Sequence, residues 1–270
     1  MISNRPERPR PILGLAAALA LALIGAGADE SPPDVTEPPP YGEFLVIPLR
    51  VHILTAGADL PEVDCRLTDA DIRRILGKVN RIWHPAGIHF GLESLCRESA
   101  AQQGRFRVAR DLEGTAPVRL FRILLPEPSR RFDGLHVYYV HRFAVNGIYM
   151  GEDFALVQET ARLRPVEGGI DEPIPRVTAH ELGHALGLRH RQDRTNLLAS
   201  GTTGTRLNAA EVATARRRAK AIPGTATVEE LIRAAEETSS RGDRATARRL
   251  WTWLSEIPGD EAEEARRRLD

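Results

Sequence analysis

The sequence predicts an α/β (α+β) domain built on one mixed sheet, and three observations lead there. Phe44 to Thr55 alternates around Leu49, Val51 and Ile53, the two-residue period of a strand. Further on, Ile72, Ile75, Leu76, Val79, Ile82 and Trp83 recur at offsets of 3, 4, 7, 10 and 11, drawing one apolar stripe along a helix. Strand-type and helix-type segments then succeed one another to about residue 222, the layout of a sheet covered by helices.

The elements follow in order. Arg5, Arg8 and Arg10 precede an apolar run from Ile12 to Ile24, and Ala26-Gly27-Ala28 gives a small-x-small cleavage pattern. Residues 1–28 therefore read as a signal peptide cleaved after Ala28, which implies a secreted or periplasmic protein. The run of about 15 residues is short of the roughly 20 that span a bilayer. An uncleaved N-terminal membrane anchor is the alternative, and no segment of the mature chain is apolar enough to cross a membrane. Residues 29–42 hold five prolines and little to bury, and read as a linker. Thr68 is placed to cap the striped helix, and Pro85-Ala86-Gly87 breaks it. Ile88, Phe90 and Leu92 suggest a second strand, Leu135, Val137 and Tyr139 a third, and Ile148 to Gln158 one or two more. A helix spans about Pro175 to Leu186. Another starts at Asn208, with Glu211 completing a capping box, and Pro223-Gly224 stops it.

Residues 223–270 read as wholly helical. Leu231, Ala235, the Gly242-Asp243 turn, Ala247, Trp251, Leu254 and Pro258 resemble one tetratricopeptide-type hairpin. A single such unit cannot bury its own face. The expectation is a helical extension packed on the main domain, with a surface for a protein partner as the alternative.

Composition narrows the functional classes. The 270 residues are 42% hydrophobic and 27% charged, with 37 basic and 37 acidic side chains. Removing residues 1–28 leaves 34 against 36, a net charge near −2. There is no basic field to hold a phosphate backbone, so nucleic-acid binding is excluded as the main activity. Cys65 and Cys96 are the only cysteines. In an oxidising compartment they form the one possible disulfide, worth about 3 to 4 kcal/mol in the chain-entropy model; two free thiols are the alternative.

One segment carries chemistry: His180-Glu181-Leu182-Gly183-His184-Ala185-Leu186-Gly187-Leu188-Arg189-His190. Four residues apart on a helix, His180 and His184 direct two imidazoles at one point. Gly187 can take positive φ and end the helix, letting the chain return with His190 as third ligand. Three protein ligands leave a fourth zinc position for water, the arrangement of a catalytic site. Glu181, beside the first ligand, can reach that water without displacing it. A chance match to all five fixed positions is roughly a few in a hundred thousand for a chain of this length.

The string matches the long metzincin signature H-E-x-x-H-x-x-G-x-x-H, and residues 43–222 resemble that clan of zinc metalloproteases, in its matrixin-like or reprolysin-like branches. The resemblance implies a twisted mixed sheet with a long helix and an active-site helix, one zinc ion on His180, His184 and His190, Glu181 as general base, and a protein or peptide substrate. It also implies a methionine in a tight turn beneath the metal. The counterpart here is Asn196 to Gly201, with Leu198 at that position. Tyrosine occurs only at 41, 138, 139 and 149, so the tyrosine after the third histidine of astacin-like and serralysin-like members is missing. Cys65 lacks the Pro-Arg-Cys-Gly context of a matrixin inhibitory switch.

His52, His84, His89, His136 and His141 lack ligand spacing and read as structural. Asp193 and Asn196 are placed to organise the loop after His190 through Asx-type bonds. Calcium at these residues, or at Glu152-Asp153, has no support in the pattern. The expected function is an exported zinc endopeptidase. The alternative is a zinc-containing binding or adaptor protein, catalytically weak or inactive, that uses its C-terminal helices.

Overall fold

The computed structural model describes residues 33–113 and 118–269. The expected signal peptide and its expected cleavage point lie outside the described residues. The architecture is α+β, with a mixed sheet between helices and loops. The strands are β1 (Leu45–Thr55), β2 (Ile88–Ser99), β3 (Leu135–Val140), β4 (Gly147–Tyr149), β5 (Phe154–Gln158) and β6 (Ala226–Thr227). The helices are α1 (Asp69–Trp83), α2 (Gln103–Glu113), α3 (Pro173–Ala185), α4 (Ala209–Ala219), α5 (Val228–Ser240), α6 (Arg244–Glu256) and α7 (Ala262–Arg267).

The sheet order is β2-β1-β3-β5-β4. The first four strands of that row are parallel; β4 is antiparallel to β5 and forms an edge. Parallel neighbours require crossovers, which is why α1 stands between β1 and β2 in the chain. The register of β1 and β2 shifts at Leu49/Arg50, where Glu93 is the extra residue. Its carboxylate pairs with Arg50 Nη2 at 3.0 Å. Thr68 and Asp71 form a capping box on α1, Asn208 and Glu211 one on α4, and Thr227 and Glu230 one on α5. Helix α2 has no sequence stripe: Phe106 is buried, while Val108 and Leu112 are exposed.

Both sheet faces are covered, so alternation divides the apolar residues between cores. Odd-numbered β1 residues from Leu45 to Ile53 join α1, α3, Leu135, Val137 and Val157 in the main core. On the other face, Leu54, Tyr138, Val140 and Leu156 meet Phe106, Phe121, Leu124 and Leu125. Phe44 and Val46 pack under the C-terminal helices with Val228, Leu231, Leu250, Trp253 and Leu254. Strand β6 pairs antiparallel with the start of β1, and Trp253 Nε1 donates to Leu92 O at 3.1 Å. Gly91 makes this contact possible, because a Cβ there would lie 2.5 Å from the Trp253 ring. The proline-rich stretch is tied down where described: Val35 N donates to Leu207 O at 2.9 Å, and Tyr41 Oη to Leu254 O at 2.9 Å.

The expected Cys65–Cys96 disulfide is corrected: both thiols are free. Cys65 is buried in the main core, and its Sγ donates to Glu159 Oε2 at 3.2 Å. Cys96 is exposed and aligned in register with His52, on the opposite face from that core. Sheet alternation thus separates two sulfurs that sequence counting alone would join.

Candidate metal centre

Helix α3 begins on Pro173 and Pro175, neither of which forfeits a bond in the first turn, and Lys78 and Arg74 of α1 bind Glu172 at its start. It ends in a Schellman arrangement: Leu188 N donates to Gly183 O at 2.9 Å and Gly187 N to His184 O at 3.0 Å, with Gly187 at φ 82°. That left-handed residue turns the chain back and brings His190 to the helix.

His184 Nε2 lies 3.1 Å from His180 Nε2 and 3.1 Å from His190 Nε2. Among the described residues, this is the one cluster of three or more His, Cys, Asp or Glu with metal-ligand proximity. The outer nitrogens show which inner ones carry lone pairs. His180 Nδ1 donates to Leu197 O at 2.8 Å and His184 Nδ1 to Leu188 O at 2.9 Å. A carbonyl only accepts, so both rings hold their proton on Nδ1 and turn an unprotonated Nε2 inward. Facing lone pairs 3.1 Å apart repel unless a cation lies among them, and an all-imidazole donor set suits zinc. Burial, with the nearby Arg176 charge, pushes His180 down to about 3, and burial also lowers His184. The rings are thereby kept neutral, the form that binds metal.

Glu181 is buried beside this cluster, and burial raises its carboxyl to about 8, opposed by a backbone bond from Tyr149. Gly147 in β4 makes room for it: a Cβ there would lie 2.5 Å from Val177 Cγ1 and 2.9 Å from Glu181 Oε1. The edge strand therefore approaches the carboxylate closely, which the bare sequence does not signal beyond a glycine at a strand start.

Leu198 is fully buried beneath α3, its methyl carbons 3.3 and 3.5 Å from where a Cβ on Gly183 would stand. The loop carrying it is held by polar bonds. Asn196 Oδ1 accepts from Leu198 N at 2.7 Å and Asp193 Oδ1 from Thr195 N at 2.9 Å, both Asx-type turns. Glu211 does more than cap α4, since its buried carboxylate also accepts from Arg191 Nε at 2.7 Å and Asn196 Nδ2 at 2.8 Å. Arg176 was not singled out by the sequence. It is fully buried, and donates to Gly204 O at 3.0 Å and Ala199 O at 2.6 Å.

The site opens into a cleft of about 790 Å³ between β4 and the loops after α3. Its walls include Val145, Ile148, Leu163, Val177 and Leu188. The remaining histidines lie elsewhere. His52 and His136 bond to each other on the far side of the sheet, His89 contacts Asn80 and Glu256, and His141 binds Glu159. Asp153 is engaged by Arg218 at 2.9 Å and Glu152 by Arg122.

No protein-family model matches the chain, and no curated protein matches it. Solved structures do, weakly. A chain from a chaperone–substrate complex aligns at 11% identity and a TM-score of 0.39, over 66% of this chain and 34% of that one. Metalloproteinase-II from Bacteroides fragilis aligns at 10% identity and a TM-score of 0.36, over 71% and 59%. A zinc-dependent peptidase from Methanocorpusculum labreanum aligns at 14% and 0.28, over 63% and 99%. The chain thus spans less than two thirds of the first two. Weak structural neighbours include zinc metallopeptidases, and the histidine triad is present; likeness at this level leaves the functional reading to the site itself.

Proposed function

We propose that the chain is an exported zinc endopeptidase of metzincin type, with His180, His184 and His190 as metal ligands and Glu181 as general base. The observation that carries this reading is the convergence of three imidazole Nε2 atoms beside a buried carboxylate in an open cleft. Zinc held there would supply Lewis acidity, bringing the pKa of water to about 7 and polarising the scissile carbonyl.

The protein's own groups do the rest. Glu181, held against Tyr149 at the strand edge, removes a proton from the attacking water and delivers it to the leaving amine. The unpaired edge of β4 offers backbone groups to an extended peptide, which aligns the substrate along the cleft as an added strand. The Leu197 and Leu188 carbonyls orient the first two imidazoles.

The experiment is a comparison of wild type with Glu181→Gln on casein or a quenched peptide library. Wild type should cleave in a chelator-sensitive manner. The variant should keep its zinc and lose cleavage; undiminished cleavage would refute the role given to Glu181. The adaptor alternative has less support, because the apolar residues of the C-terminal helices are spent against Phe44 and Val46.

A further inference from the structure

Arg176 is a buried charge that the peptidase mechanism does not use. It stands one turn before His180, is 1% exposed, and lines the cleft. Its Nε donates to Gly204 O at 3.0 Å, and its Nη2 to Asn196 O at 3.3 Å and Ala199 O at 2.6 Å. Nη1 has a different neighbour, His180 Nδ1 at 3.1 Å. That nitrogen already gives its proton to the Leu197 carbonyl. The contact between Nη1 and Nδ1 therefore joins two donors and is not a hydrogen bond.

Two N–H groups of a buried guanidinium are thus without an acceptor among the described residues. Arg176 has no ion-pair partner there either; the only other charge acting on it is Glu181, at longer range. An uncompensated buried cation is costly, and the cost is relieved by an anionic oxygen brought to it. The two free N–H groups sit on one nitrogen, Nη1, and can make a charge-assisted bond to a carboxylate, which the largely apolar cleft walls strengthen.

We propose that Arg176 makes the cleft selective for a peptide carrying a carboxylate near the scissile bond, either an Asp or Glu side chain or a free C-terminus. The proposal rests on the peptidase reading of the same cleft.

The test uses binding, so that it stands apart from turnover. Four peptide hydroxamates, which grip a bound metal directly, are titrated calorimetrically into the zinc-loaded full chain. Three have amidated C-termini and carry Glu, Gln or Leu next to the hydroxamate; the fourth carries Leu with a free C-terminal carboxylate. The Glu compound or the free-acid compound should bind at least about tenfold more tightly than the Gln and Leu amides, a step of about 1.4 kcal/mol. Whichever of the two does so identifies the source of the carboxylate. Arg176→Met should abolish the preference and Arg176→Lys retain part of it. Should the methionine variant not fold, the Glu-to-Gln ratio in wild type still decides. Equal affinities for all four, or no binding by any, would overturn the proposal and leave Arg176 as a strap on the loop. Cleavage is scored separately: chelator-sensitive cleavage without carboxylate preference defeats this inference alone, while preference without cleavage defeats the peptidase reading alone.

Discussion

Two histidine groups lie on opposite faces of the sheet, and their nitrogen spacings are nearly the same. At α3, imidazole nitrogens meet at 3.1 Å; behind β1 and β3, His52 Nε2 and His136 Nδ1 meet at 3.0 Å. The difference lies in what the other nitrogens touch. His52 Nδ1 faces Glu98 Oε1 at 2.7 Å, and His136 Nε2 donates to Phe132 O at 2.9 Å. That chain ends on a carboxylate at one side and a carbonyl at the other, with Tyr138 stacked on His52 at 4.2 Å. At α3 the outer protons go to two carbonyls and three nitrogens converge, the arrangement proposed above to hold a divalent cation. Spacing between imidazoles therefore says little about role; the partner on the far nitrogen says much.

The widest separation of the two groups comes from truncating one member of each. His184→Ala should reduce bound zinc from one equivalent to a small fraction and remove cleavage, with little change in the stability of the metal-free fold. His52→Ala should do the reverse. It keeps one zinc but costs about 2 to 3 kcal/mol, because His136 and Glu98 lose their partner. Metal analysis and urea unfolding on the same preparations check both. Loss of zinc from the His52 variant would break the comparison.

A smaller effect is expected where the edge strand meets the base. Gly147→Ala places a carbon 2.9 Å from Glu181 Oε1 and 2.5 Å from Val177, so the carboxylate must shift while the ligands stay. Turnover should fall roughly 10- to 100-fold with zinc content unchanged, since a displacement near 1 Å has a cost of that order. Steady-state kinetics beside metal analysis would show it.

These contrasts also mark what was legible in the sequence. The glycine stop and the caps at Thr68 and Asn208 are written in local spacing and the structure places them where spacing predicts, and it brings His180, His184 and His190 together. The striped helix and the existence of the first three strands follow from period alone; which strands run parallel does not. The stretch from Gly147 to Phe154 reads as the edge strand at the rim of the cleft. Arg176, the close fit of Gly147 against Glu181 and the loop-binding role of Glu211 were not legible, because each depends on a partner far along the chain: residues 196–204, Glu181 and Arg191. Cys65 and Cys96 were misleading for the same reason, since counting thiols cannot reveal opposite sheet faces. Helix α2 escaped because its one buried anchor, Phe106, makes no period.

Acid sharpens the comparison further. Burial holds His136 down to about 4, against an ordinary histidine near 6.5. The unfolded chain therefore binds more protons than the folded one between those values, and stability falls as pH drops through that window. The loss due to His136 between pH 7 and pH 4.5 should be about 2 to 3 kcal/mol. His136→Gln should flatten the acid limb by that amount in metal-free protein, where zinc release cannot contribute. Urea titrations at the two pH values measure it; an unchanged limb would mean that His136 already binds its proton in the folded state.

The smallest effect concerns the floor of the candidate metal centre. Leu198 is fully buried, contacts the helix where Gly183 leaves space, and presents no polar atom to the imidazoles. Its backbone N–H bonds Asn196 Oδ1 at 2.7 Å, an interaction that a side-chain exchange does not touch. Leu198→Met is nearly volume-conserving and should change stability by less than about 1.5 kcal/mol. Zinc affinity, read by competition with a chromogenic chelator, should move less than about threefold, because a residue that only fills space acts on the ligands through packing alone. A gain in affinity above about tenfold, near 1.4 kcal/mol, would assign the thioether a part that shape does not explain. The contrast between the two histidine groups would then need a third element, the apolar floor, alongside the partners of the outer nitrogens.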